Sequence, residues 1–146
     1  FLLIFTIPYL YFTLLHFVLL LIVLGKTLQT ISFISYLKDV RKLKGPHLVV
    51  VPLSVLFNWV VECRKFCPTL RIFRLHCTSS KEMPAVRARL VDIDGYDVCV
   101  TSYEMIKSTN SQRMIAQRVW RTVVLDEGHR IKNMLSQISQ ACMHLR

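Results

Sequence analysis

Apolar positions change their spacing repeatedly along this chain, and each change predicts an element. Leu28, Ile31, Ile34 and Leu37 recur at helical spacing and predict a helix that opens at Gly25–Lys26 and runs to about Leu43. Lys38 to Lys44 forms a basic exit, and Gly45-Pro46 predicts a turn. His47 to Val51 is a short apolar run ended by Pro52, the text of a strand covered on both faces. Ser54 is the expected N-cap of a helix reaching about Phe66, with Leu56, Trp59, Val60 and Cys63 on one face and Pro68 closing it. Arg71 to Leu75 alternates and predicts a strand. Lys81 to Ile93 predicts a basic helix carrying Arg87 and Arg89. Asp97 to Thr101 predicts a strand, followed by a loop and a helix from Ser102. Gln112 to Arg118 predicts a short helix, Thr122 to Leu125 a buried strand, and Ser136 to Arg146 a final helix. Strands alternating with helices of this length imply βαβ units, a parallel sheet and the α/β class.

The chemistry concentrates where two of these elements meet polar residues. The strand around Val123 to Leu125, preceded by Trp120, ends in Asp126 and Glu127, and Gly128 and His129 follow at once. The carboxyl end of a strand in a parallel sheet is where ligands sit. Two adjacent acids there can hold Mg²⁺ through one carboxylate and position a water with the other. Alone, such a pair is more often a solvated strand end. A hundred positions upstream, however, the chain reads Gly25-Lys26-Thr27-Leu28-Gln29-Thr30, the tail of a phosphate-binding loop G-x-x-x-x-G-K-[ST]. In such a loop Gly25 lets the backbone approach phosphate, Lys26 reaches the β/γ-phosphates and the Thr27 hydroxyl ligates Mg²⁺. The helix that starts there offers an anion the positive end of its dipole. Gly-Lys-Thr by itself is a weak signal, and the ordinary reading is a helix start with a surface lysine. The distant Asp-Glu-Gly-His strengthens it.

These motifs and the text between them resemble the first motor lobe of the Swi/Snf-type DNA-translocating ATPases, helicase-related engines of chromatin remodellers, and within them the imitation-switch-like group. Four segments carry the resemblance: Gly25 to Thr30, Pro46 to Glu62 (PHLVVVPLSVLFNWVVE), Asp97 to Met105 (DVCVTSYEM) and Trp120 to Asn133 (WRTVVLDEGHRIKN). The second and third are more specific than either nucleotide motif. The resemblance implies a three-layer α/β fold of the RecA type, here a truncated single lobe over residues 25–146. It implies ATP and Mg²⁺ as cofactors, held by Gly25, Lys26, Thr27 and Asp126, with Glu127 orienting the attacking water. It implies that His129 couples the nucleotide site to the next motif. It places Asn58, Ser102, Tyr103, Arg130 and Lys132 along double-stranded DNA, whereas Trp59 reads as core. The parent activity implied is ATP hydrolysis that drives movement along DNA and repositions nucleosomes, in the nucleus.

Two departures from the family pattern change this picture. The opening Gly of the phosphate loop falls at position 20, which is Leu20, and Leu21-Ile22-Val23-Leu24 replaces an acidic, Gly-rich stretch. Bulky and β-branched residues resist the positive φ that a phosphate cradle uses. The sequence also stops at Arg146, before the family's next coupling segment and the second motor lobe with its arginine fingers. A chain so constituted is expected to be catalytically inactive. A non-enzymatic, membrane-anchored or DNA-binding fragment is the alternative reading.

Residues 1–24 are a different text, and the sequence leaves three readings of them open. Eighteen of the 24 are Leu, Ile, Phe or Val, with no charged residue among them. As a helix they would span about 36 Å, enough for a bilayer core of roughly 30 Å, and they lack the basic start and cleavage site of a signal peptide. Residues encoded by thymine-rich codons dominate, so a mis-joined, non-native segment ahead of Gly25 is the preferred reading. A transmembrane helix and a buried strand plus helix are the others. The formal charge of +10 therefore lies wholly in residues 26–146 and favours polyanions. Five cysteines without C-x-x-C spacing predict reduced, partly buried thiols rather than a metal or disulfide framework. His16, His47, His76 and His144 have no partners at metal spacing.

Overall fold

Alternating burial of β-branched residues builds a sheet with helices on both faces. A computed structural model describes residues 3–6, 25–79, 81–92, 94–128, 140, 142 and 145. The strands are β1 (Leu3–Thr6), β2 (His47–Val51), β3 (Ile72–Leu75), β4 (Val98–Ser102) and β5 (Thr122–Leu125). The helices are α1 (Lys26–Asp39), α2 (Leu56–Phe66), α3 (Met83–Val91), α4 (Tyr103–Lys107) and α5 (Thr109–Ala116). The sheet order is β1-β5-β2-β4-β3. The last four strands are parallel, with Val49 opposite both Val100 and Val124, and β1 adds antiparallel to β5.

Successive strand residues point to opposite faces, so the strands feed two separate cores. Val49, Val51, Val98, Val100 and Val124 pack with Ile31, Ile34 and Leu37 of α1 and with Leu56, Trp59, Val60 and Cys63 of α2. Leu48, Val50, Cys99, Val123 and Leu125 pack with Leu90 of α3, Met105 and Ile106 of α4, Ile115 of α5 and Trp120. This three-layer arrangement is the α/β fold that the alternating pattern predicts.

Element boundaries differ from expectation for local reasons. α1 ends at Asp39, not near Leu43, because Lys42 turns to φ 55° and the Leu43 amide donates back to the Leu37 carbonyl. Ser54 caps nothing: it sits inside a 3₁₀ turn, Leu53–Val55, and α2 starts at Leu56 with no side-chain cap. α3 is shorter than Lys81–Ile93 because Pro84 fixes its first turn. α5 begins at Thr109, so the polar run Thr109-Asn110-Ser111 is its first turn rather than a loop. The helix expected over Ser136–Arg146 falls almost wholly outside the described residues, as does most of the 1–24 segment. No helix among the described residues is long and apolar enough to cross a membrane.

The amino ends of the strands are tied together tightly. Asp97, just before β4, accepts from the Arg71 amide at 2.9 Å, from the Arg71 guanidinium at 2.8 Å and from Lys38 at 2.9 Å. Burial alone would raise its carboxyl, but these donors overcome that and hold it well below the usual carboxylate range. A Cβ on Gly45 would collide with the Asp97 carbonyl, so only glycine fits beside this knot.

Candidate functional site

At the opposite, carboxyl end of the sheet the chain leaves β5 through Asp126. Its amide donates to the Val50 carbonyl at 2.8 Å, which continues the ladder one residue past the strand. Its carboxylate is nearly buried and oriented by two donors: Trp59 Nε1 to Oδ2 at 3.0 Å and the Glu127 amide to Oδ1 at 3.0 Å. Its carbonyl accepts from the Tyr103 hydroxyl at 2.6 Å. Among the described residues each carboxylate oxygen thus accepts from one donor, which leaves a second acceptor position.

Glu127 adopts φ 55°, in the left-handed region that a residue with a side chain rarely occupies. Such local strain clusters at functional sites. The turn brings the Glu127 carboxylate to the surface, 3.7 Å from Lys26 Nζ, with both side chains about half exposed.

Lys26 opens α1. Gly25 precedes it without a side-chain cap, and the first turn holds no acid. The helix therefore presents amide donors, its dipole and a lysine with nothing negative of its own to neutralise them. Among the described residues, a Cβ on Gly25 would meet nothing within 4 Å. Thr27 is half buried beside it. A basic, donor-rich helix end beside the Glu127 carboxylate, with Asp126 the preceding residue, fits a phosphate anion together with a hard cation. Mg²⁺ typically takes one or two carboxylates and completes its shell with substrate phosphates and water. Among the described residues no group of three or more His, Cys, Asp or Glu side chains could hold a metal by itself.

The structure brings Lys26, Asp126 and Glu127 together and sets Gly25 and Thr27 at the same helix start. Asn58 is exposed on α2, as a DNA-facing residue must be. Ser102 and Tyr103 are placed differently from expectation. Ser102 is fully buried and caps α4 by accepting from the Met105 amide at 3.3 Å. Tyr103 is 1% exposed and its hydroxyl is turned onto Asp126. Neither offers a polar atom to DNA here, because closing the β4–α4 turn and holding Asp126 use them internally. His129, Arg130 and Lys132 lie outside the described residues. The sequence reading missed that Trp59 and Tyr103 hold Asp126. A buried indole N–H or phenol needs a partner, but that partner lies 67 and 23 positions away respectively.

Cys63 and Cys99 are poorly suited to nucleophilic chemistry. All five cysteines are free. Burial pushes the Cys63 thiol up to about 12 and Cys99 higher still, which disfavours the reactive thiolate.

Comparison with known proteins supports the family and the fold. The family model described as the SNF2-related domain matches residues 22–146. An ISWI chromatin-remodeling complex ATPase of Arabidopsis thaliana is 45% identical over 118 residues, which are 80% of this chain and 11% of that protein. Helicase ssl-1 of Caenorhabditis elegans is 41% identical over 123 residues, 84% of this chain and 5% of its own length. The solved structure of the Sulfolobus solfataricus SWI2/SNF2 ATPase core in complex with dsDNA superposes with a TM-score of 0.68 at 36% identity, over 84% of this chain and 23% of that one. The chain spans about a tenth or less of the length of these curated relatives. With its motifs, its RecA-like sheet and this match over most of its length, the chain belongs to the SNF2-related family.

Proposed function

We propose that this chain is the nucleotide-site lobe of a nuclear, DNA-dependent ATPase that remodels chromatin, and that its own affinity for nucleotide is low. The observation that carries the reading is the meeting of Lys26, at an uncapped helix start, with Asp126 and Glu127 at the end of β5. Lys26 and the first amides of α1 would bind the terminal phosphates, and Lys26 would exchange its contact with Glu127 for them. Asp126 and Thr27 would hold Mg²⁺, which when bound neutralises the charge on the β- and γ-oxygens. Glu127, carried outward by its left-handed turn, would orient the attacking water. Positioning and charge stabilisation of this kind make up most of catalysis in phosphoryl transfer.

The parent substrate track is double-stranded DNA, with nucleosomes as its packaged form and a second motor lobe completing the engine. Support comes from the charge of +10, the exposed Asn58 on α2 and the relative solved on dsDNA. Arg87 of α3 and Arg113 of α5 also line one groove with Asn110 and Gln117.

The low nucleotide affinity follows from Leu20 to Leu24, which stand where the amide cradle should be. Calorimetry with Mg·ATP tests both halves of the proposal. The unaltered chain should show no micromolar binding. Replacing residues 20–24 with an acidic, Gly-rich loop, Leu20→Gly at its start, should bring binding into that range. Micromolar affinity in the unaltered chain contradicts the low affinity, and no gain on restoring the loop contradicts the site.

A further inference from the structure

We infer that Trp59 and Tyr103 are positioning residues that fix Asp126 for a divalent cation, gripping it from opposite faces of the sheet. The inference rests on the nucleotide-site reading above and deepens it. Trp59 belongs to the core layer of α1 and α2, and Tyr103 to the layer of α3, α4 and α5. The Trp59 indole N–H holds the carboxylate itself, and the Tyr103 hydroxyl holds the Asp126 carbonyl. With the Asp126 amide bonded to Val50, the residue is held at its side chain, its carbonyl and its amide from three neighbouring segments.

Trp120 supplies the comparison. It is equally buried, and its indole N–H is satisfied in the ordinary way, by the Ile115 carbonyl at 3.0 Å. Trp59 instead directs its N–H to a carboxylate at the mouth of the site. A hydrogen bond to a charged acceptor is stronger and more directional than one to a neutral carbonyl. It selects one rotation of the carboxylate and leaves the remaining lone pairs aimed at a fixed place. Residues that orient metal ligands in this way typically contribute about 10–100-fold to metal affinity.

The test uses the full chain and Mn²⁺ alone, with binding followed by water-proton relaxation, a readout that reports weak sites and needs no turnover. Asp126→Asn should abolish the site. Trp59→Phe, which keeps an aromatic side chain but loses the N–H with the five-membered ring, should weaken Mn²⁺ about tenfold. Tyr103→Phe should weaken it less, because it acts through the backbone. Asp126→Asn weakening Mn²⁺ while Trp59→Phe leaves it unchanged overturns the positioning role and keeps the metal site. Asp126→Asn without effect overturns the metal site and the positioning role together. Should Trp59→Phe fail to fold, the unaltered chain still decides: Mg²⁺ titration must shift the Trp59 indole N–H resonance and leave that of Trp120 in place. Equal or absent shifts at the two overturn the inference.

Discussion

The two ends of the sheet are built from the same kinds of residue and do opposite things. At the amino end Lys38 meets Asp97 at 2.9 Å, and the Asp97 side chain is 6% exposed. At the carboxyl end Lys26 stands 3.7 Å from Glu127, and both are about half in water. Both lysines belong to α1, one at each end. Asp97 accepts from Lys38 and from the backbone and side chain of Arg71, so it has little left to offer a ligand. Among the described residues the Asp126 carboxylate accepts from two donors, and Glu127 is turned outward at a strained φ. A lysine–carboxylate pair is therefore a fastening when its acceptors are used up and its charge is buried. At the carboxyl end, among the described residues, the Asp126 carboxylate accepts from one donor on each oxygen, which suits the proposed nucleotide site.

Breaking the fastening should have the largest effect. Asp97→Ala removes the shared partner of Lys38 and Arg71. Losing one partner of a buried pair costs about 3–5 kcal/mol, and the half-exposed Arg71 places this one near the lower end, about 3 kcal/mol. Urea unfolding at pH 7 measures it. A loss near zero would show that the amino end is not what holds the strands together.

His47 opens β2 at the same end, fully buried, with neither ring nitrogen hydrogen-bonded among the described residues. Burial, helped by the positive charge of Arg121 and opposed by Asp97, lowers its pKa to about 4. In the unfolded chain it titrates near 6.5. Between those values the unfolded state binds the extra proton. Stability is therefore full above about pH 6.5, falls as pH drops toward about 4, and levels off below. The gap corresponds to about 3 kcal/mol. Asp97 acts lower, its contribution intact above its unfolded pKa of 3.8 and lost as pH falls beneath it. His47→Leu should remove most of the decline between about pH 6.5 and 4.5 in denaturant titrations. An unchanged decline would assign it to other groups.

The smallest effect expected is on DNA. Arg130 and Lys132 closely follow Glu127 in sequence, whereas the exposed Lys42 lies in the loop beyond α1. Fluorescence anisotropy on duplex DNA at several salt concentrations should show weak binding without sequence preference, with log K falling linearly with log salt. Arg130→Ala and Lys132→Ala should each reduce that slope by about 1, and Lys42→Ala should not. Equal slopes in all three variants would make the positive charge a diffuse field rather than a contact surface.

What the sequence made legible was local. The apolar run of β2 and Pro52 bounded that strand to the residue, and the face Leu56, Trp59, Val60, Cys63 is buried as its spacing predicts. The Lys26 and Asp126–Glu127 motifs identified the residues that the sheet brings to one end. What stayed hidden was long-range and polar. Trp59 reads correctly as core, but spacing cannot tell which acceptor its N–H will find 67 residues away. The Asp97 knot spans 59 positions to Lys38 and 26 to Arg71. Ser102 and Tyr103 carry polar atoms that suit DNA equally well on paper, and only the closure of the β4–α4 turn shows that they are used inside.

The two lysines of α1 offer the most direct test. The measurement is the thermal unfolding midpoint of the loop-restored chain with and without Mg·ATP, for Lys26→Ala and Lys38→Ala. A ligand that binds only the folded state raises the midpoint, and more so the tighter it binds. Lys38→Ala should lower the midpoint and keep the ATP-induced rise, since it breaks the fastening and leaves the site. Lys26→Ala should keep the midpoint and lose the rise. Retention of the full rise in Lys26→Ala, or its loss in a folded Lys38→Ala, would contradict the assignment of the carboxyl end to nucleotide.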